Sequence, residues 1–251
     1  MARPASTTVA AAPHLSESGS ILATGEAGRK TRQRAMGGEK RDWFETVKQT
    51  APQAVRVLRN LAPTFELAGI DRIDQAFLDE HAIRGIIWDV DGTLTAYHGP
   101  AVAPAYRAAA QRLFSDPGLR HVILSNSGDL RYDELGRMFP AVPILKAYRT
   151  PEGIAYRQRV GGGESWEGSP PVEGMRPIRK PSRELVAWAT RVLGRDPGSV
   201  VMVGDQYWTD VAGANLGGVR SIRVPPVEPG SFPRALRVLQ SIEQFLKRWL
   251  T

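Results

Sequence analysis

Between Ile83 and Val224 the chain repeats one pattern: a short apolar run, a polar turn, then a segment with apolar residues every three to four positions. The runs are "GIIWD", "HVILSN", "VPIL", "SVVMVGD" and "VRSIRV", and helices are expected from Pro104 to Phe114, Leu130 to Met138, Pro181 to Leu193 and onward to Ala214. Strands alternating with helices build a mainly parallel sheet covered on both faces. The expected fold class is therefore α/β, a mainly parallel sheet with helices on both faces. Only about ten residues separate Asp91 from the helix at Pro104, which leaves no room for an inserted domain there. The stretch 150–178, with "GGGESWEGSPPVEG", breaks the rhythm and reads as an insertion loop with no structure of its own.

The polar residues fall where such a sheet does its chemistry, at the carboxyl ends of the strands. Asp89 and Asp91 end the first run, followed by Gly92 and Thr93, and Ser125 and Asn126 end the second. Lys180 opens the helix "KPSRELV", and Gly204 and Asp205, with Asp210 behind them, end "VVMVG". A buried strand does not tolerate idle charge, because an uncompensated carboxylate costs several kcal/mol or is forced to neutralise. A cation should share the site. Oxygen donors without sulfur or imidazole suit Mg²⁺, held by Asp89 and Asp205 with the backbone carbonyl of Asp91 nearby. Strand residues two apart share a face, so Asp89 and Asp91 can approach one ligand. A carboxylate can also attack phosphorus, splitting one hard displacement into two easier ones, and Lys180, Ser125 and backbone N–H groups near Gly92 are suited to hold phosphate oxygens. Lys146 is the rival of Lys180, since it too follows a strand; the helix opening at Lys180 favours Lys180. The four histidines, His14, His81, His98 and His121, lack ligand spacing.

Composition excludes more than it selects. There is no cysteine, so disulfides and thiolate metal sites are ruled out. No apolar run approaches the roughly 18–20 residues needed to cross a bilayer. The net charge of +7 would suggest nucleic acid, but it sits at the ends: seven Lys and Arg against three Glu in 1–41, and four against one in 231–251. The stretch between is neutral, so a nucleic-acid partner is not expected, while basic ends suit an anionic membrane surface. Residues 1–38 read as a disordered basic tail and 39–61 as an amphipathic helix. Residues 62–230 form the main domain, and 231–251 is an amphipathic basic helix with Leu236, Leu239, Ile242, Leu246 and Trp249 along one side.

"DVDGTLT", the Ser125 and Lys180 positions and "GDQYWTDVAGANLGG", in this order, resemble the four motifs of the haloacid dehalogenase (HAD) superfamily. The last of these, with the lead-in before the first strand, is similar to the IIIA branch that contains phosphatidylglycerophosphate phosphatases. The resemblance runs from Leu61 to Val224. It implies the HAD variant of the Rossmann-like sheet and a Mg²⁺-dependent phosphatase. Asp89 would be the nucleophile and Asp91 the acid, then the base. Lys180 would stabilise the phosphate, while Gly92, Thr93, Ser125 and Asn126 would bind the substrate. Asp89, Asp91, Asp205 and Asp210 would make the metal site. The branch pattern has Asn where this chain has Gly92, the generic superfamily form, and the 150–178 insertion is longer than in compact members. The implied partner is a phosphate ester, on an anionic lipid or on a soluble nucleotide or sugar. The implied location is the cytoplasm, peripheral to the inner face of a membrane. Two other classes compete: a receiver-type signalling domain, which would not begin with "DxDGT", and a HAD scaffold turned regulatory, which would be expected to have lost Asp89 or Asp91.

Overall fold

The structure is a computed structural model that describes residues 54–233 together with Arg237 and Ser241. The tail over 1–38, most of the helix expected over 39–61 and nearly all of that expected over 231–251 lie outside the described residues. Within the expected 39–61 segment the described residues form α1 (Ala54–Leu58), where Val57 is buried.

Strand β2 (Gly85–Trp88) is the centre of the sheet and is buried along its whole length. It pairs in parallel with β3 (Arg120–Leu124) on one side and β8 (Val200–Gly204) on the other, with Gly85 opposite both Arg120 and Val200. Successive side chains leave a strand on opposite faces, and the packing follows that alternation. Ile86, Trp88, Ile123, Val201 and Val203 enter one core, while Ile87, Val122, Leu124, Val200 and Met202 enter the other. This is why the strands read as unbroken apolar runs: both faces are covered. The first face is covered by α2 (Gln75–Glu80), α3 (Arg107–Ser115) and α4 (Asp129–Met138), through Leu78, Leu113, Tyr132 and Leu135. The second is covered by α5 (Arg183–Leu193) and α6 (Ala212–Gly217), chiefly through Leu185, Trp188, Leu193 and Ala214. Helix α5 starts where the Ser182 side chain accepts a hydrogen bond from the Leu185 N–H and stops at Gly194 in the left-handed region. The α/β class is thus as expected, and no large cap is seen among the described residues. A short edge strand β1 (Phe65–Glu66), parallel to β9 (Arg220–Arg223), extends the sheet beyond the expected strands.

The stretch 150–178 corrects the sequence reading: it is not a structureless loop. Strand β4 (Ile144–Thr150) pairs with β3 only at Ile144 and Leu145, then runs past the edge of the parallel sheet. There β5 (Gly153–Val160), β6 (Gly163–Gly168) and β7 (Arg176–Ile178) build an antiparallel extension around it. Gly161 and Gly162, at φ 58° and 80°, form the two-residue turn between Val160 and Gly163, a place where positive φ at both central residues matches the strand twist. The hairpin was hidden because β5 is half-exposed and β6 nearly all exposed. It therefore carries no apolar alternation. Ion pairs hold it instead, Glu164 receiving Arg157 at 2.7 Å and Arg159 at 3.1 Å.

Candidate active site

The carboxyl ends of β2, β3 and β8 and the entrance to α5 converge on one edge of the sheet. The ladder continues one residue past β2, where the Asp89 N–H donates to Val203 O at 2.9 Å. The chain then turns sharply, with the N–H groups of Thr93, Leu94 and Thr95 all directed at Val90 O. Gly92 has φ 98°, and a Cβ there would run into the Phe232 ring and stand 3.0 Å from Asp205 Oδ2. Only glycine fits both the conformation and the space. A strap from the far end of the domain closes over this loop. Val227 N–H donates to Gly92 O at 2.7 Å, Tyr97 N–H to Ser231 Oγ at 3.0 Å, and the buried Phe232 ring lies 5.1 Å from that of Tyr97.

Lys180, 1% exposed, donates to Asp89 Oδ1 at 2.6 Å and to Asp210 Oδ1 at 2.7 Å. Thr93 Oγ1 donates to the other oxygen of Asp89 at 3.1 Å. Asp210 sits on a π-helical turn (Tyr207–Val211), a widened geometry that recurs at functional sites. Its carboxylate packs where a Cβ on Gly204 would stand, and Oδ2 accepts from the Gln206 N–H at 3.1 Å. Asp89, Asp205 and Asp210 are all buried and present oxygens within 4.8 Å of one another. Burial, chiefly, raises the Asp89 carboxyl to about 7 against the pull of Lys180, with Asp210 adding to the rise. Asp210 and Asp89 in turn hold the Lys180 ammonium above its ordinary value despite its burial. A buried donor set made only of carboxylate oxygens fits Mg²⁺, and Asp89, Asp205 and Asp210 are the residues that would hold it.

The other expected residues take distinct places. The Asp91 side chain stands apart from that three-carboxylate cluster, so its expected share in the metal site rests on its backbone carbonyl alone. Its carboxylate instead receives Arg131 Nη2 at 2.7 Å and the His98 N–H at 3.0 Å. Ser125, at the end of β3, donates to Ser127 Oγ at 3.1 Å and is half-buried. Asn126, expected to touch substrate, spends its side-chain amide on the Lys180 backbone: Nδ2 donates to Lys180 O at 3.1 Å, and Oδ1 accepts from Lys180 N at 2.7 Å. That clamp fixes where Lys180 enters the site. Lys146, the rival lysine, donates to Asp129 Oδ1 at 2.9 Å and belongs to the β4–β6 extension. Arg131 was not anticipated. The available signal was its position, one turn into the helix that follows Ser125 and Asn126. No histidine joins a potential metal cluster among the described residues.

A family model described as HAD-hydrolase-like matches residues 177–226, the segment that carries Lys180, Asp205 and Asp210. The chain is 26% identical over 189 residues to phosphatidylglycerophosphate phosphatase 1, chloroplastic, of Chlamydomonas reinhardtii, covering 74% of this chain and 61% of that one. It is 24% identical over 209 residues to phosphatidylglycerophosphate phosphatase 1, chloroplastic/mitochondrial, of Arabidopsis thaliana, covering 82% and 53%. It is 26% identical over 150 residues to probable phosphatase YqeG of Bacillus subtilis (strain 168), covering 60% and 69%. The chain thus spans between half and two-thirds of the length of the two plant and algal relatives. With the motif residues gathered at one edge of a parallel sheet, and the family match lying on the segment that completes them, the chain is similar to HAD-like hydrolases over 177–226 and to named phosphatases over more of its length.

Proposed function

We propose that this chain is a phosphomonoesterase that passes the phosphoryl group of a lipid phosphate, phosphatidylglycerophosphate in the first instance, to Asp89 and then to water. The observation that carries the reading is the buried constellation of Asp89, Lys180, Asp205 and Asp210. In the first step a carboxylate oxygen of Asp89 attacks phosphorus, the bond from phosphorus to the alkoxide oxygen breaks, and Asp91 gives its proton to that oxygen. In the second step Asp91 takes a proton from water, whose oxygen attacks the phosphorus of the acyl phosphate and frees Asp89. Lys180 keeps Asp89 oriented and offsets charge on the phosphoryl oxygens, which Ser125 and the backbone near Gly92 and Thr93 receive. Mg²⁺ bound by Asp89, Asp205 and Asp210 supplies the remaining positive charge.

Three observations favour a lipid ester: the names of two relatives, a site edge without a large cap, and an exposed leucine. Leu130, 72% exposed, lies on the first turn of α4 between Asp129 and the buried Arg131. An apolar side chain there is suited to the glyceride end of a lipid. Among the described residues no helix is long and apolar enough to cross a membrane, so contact with lipid would be peripheral, through the basic ends. The test is phosphate release with Mg²⁺ or EDTA from phosphatidylglycerophosphate in anionic vesicles and from soluble nucleotide and sugar phosphates, for wild type and Asp89→Asn. Release from the lipid that needs Mg²⁺ and vanishes in the variant supports the proposal. Release from soluble esters alone keeps the chemistry and removes the lipid. No release from any ester overturns it in favour of a regulatory scaffold.

A further inference from the structure

Arg131 is buried, with a side chain 3% exposed, and reaches from α4 under the loop that carries Asp91. Nη2 donates to Asp91 Oδ1 at 2.7 Å and Nε to Asp91 Oδ2 at 3.4 Å, so the planar fork spans both carboxylate oxygens. The remaining donors tie the same loop and its own helix: Nη2 also reaches Gly99 O at 2.9 Å and Thr95 Oγ1 at 3.4 Å, and Nη1 reaches Glu134 Oε2 at 3.0 Å. We infer that Arg131 is the positioning residue of the reaction, which aims the Asp91 carboxylate for proton transfer. The inference rests on the phosphatase reading above.

Three physical points support it. A buried ion pair is a poor way to gain stability, because desolvation of both charges consumes most of the attraction. An apolar residue would fasten α4 to the loop as well. A bidentate guanidinium, by contrast, fixes the plane of a carboxylate as well as its position. Second, the Asp91 carboxylate receives its hydrogen bonds from Arg131, Thr95 and His98, while the cluster of Asp89, Asp205 and Asp210 forms without it. The two carboxylates of the motif, two residues apart, are therefore held in separate environments. One lies among the groups that would meet a phosphoryl group, and the other is held apart from them by the guanidinium. Third, the Arg131 guanidinium spends its donors on Asp91, Thr95, Gly99 and Glu134, so its influence on the reaction passes through Asp91.

Leaving-group dependence distinguishes this role from simple bracing. An alkoxide leaves slowly unless protonated, while p-nitrophenolate leaves unaided, so a misplaced acid slows only the alkyl ester. The parameter to read is kcat/KM, which stops at the first transfer and is unaffected by release of phosphate from Asp89. For Arg131→Gln, kcat/KM for an alkyl phosphate should fall roughly 30- to 100-fold, just short of losing a whole general acid at about 100-fold or more, and that for p-nitrophenyl phosphate by less than about 3-fold. Arg131→Lys, which keeps charge without the fork, should lie between, and serves if the glutamine variant does not fold. Adding Arg131→Gln to Asp91→Asn should cause no further loss on the alkyl ester, since two residues acting as one unit are not additive. Equal losses on both esters, additive losses in the double variant, or a gain on the alkyl ester would each overturn the inference. A crystal structure of Arg131→Gln decides the point without turnover. Asp91 turned away from its present orientation supports it, and Asp91 held in place by Thr95 and His98 alone overturns it. Wild type releasing phosphate from neither ester would instead reject the phosphatase reading, leaving the crystallographic test of Arg131 standing.

Discussion

Replacing Lys180 with methionine removes a charge while keeping nearly the same shape, and the structure sets the size of the effect. The ammonium lies 2.6 Å from Asp89 and 2.7 Å from Asp210, with side-chain exposures of 2%, 9% and 2%. Water cannot take over for the missing lysine without the site opening. Breaking such a buried pair costs about 3–5 kcal/mol, most of it from the carboxylates left behind. At about 2–4 °C of melting temperature per kcal/mol for a domain of this size, the variant should melt roughly 6–20 °C below wild type. The assay is thermal unfolding followed by circular dichroism at pH 8 in EDTA, where the Asp89 carboxyl, raised to about 7, is mostly ionised in wild type. The deficit should shrink at pH 5, because a proton then neutralises the Asp89 carboxylate that the lysine no longer faces. Added Mg²⁺ should recover part of it at pH 8. A variant that melts within about 3 °C of wild type at pH 8 in EDTA would falsify the claim that the lysine compensates this cluster.

Two further predictions follow from single residues. Because the folded Asp89 carboxyl titrates near 7 rather than near 3.8, the folded chain without metal keeps a proton that the unfolded chain releases. Its contribution to stability is present below about pH 4 and lost as pH rises through 7. Urea unfolding in EDTA should therefore show wild type losing stability relative to Asp89→Asn across that window, and parallel curves would refute it. Gly92→Ala puts a side chain on a φ of 98° and against Phe232. It should cost about 1–3 kcal/mol and most of the phosphate release, and Phe232→Ala in the same chain should return part of the stability by removing the ring but not the strain.

What could be read beforehand depended on where each feature leaves its trace in the chain. Asp89, Asp205 and Lys180 were legible because each follows or precedes an apolar run at a strand end or helix start, so topology alone brings them to one edge. The β5–β6 hairpin was not, because its strands are half or more exposed and leave no alternating pattern. The Gly161-Gly162 pair was the cue, being the composition of a tight hairpin turn. Arg131 was missed for a different reason. A basic residue in a polar helix looks like solvated surface, and only the packing of α4 under the Asp91 loop turns its side chain inward. Asn126 shows the limit of reading position alone: a polar residue at a strand end invites a substrate role, while in the fold its side-chain amide holds the Lys180 backbone.

The strap over Gly92 has a consequence for the order in which the protein comes into being. Domains fold as they leave the ribosome, amino terminus first, and the central strand, with Asp89 just past its end, is made early. The loop after that strand is closed by Val227, Ser231 and Phe232, which are made more than a hundred residues later. A nascent chain can therefore hold Asp89 in a sheet well before the pocket around it is finished. Activity should switch on only when synthesis has passed position 232, so a stalled or truncated product ending before Val227 would be folded in part and silent.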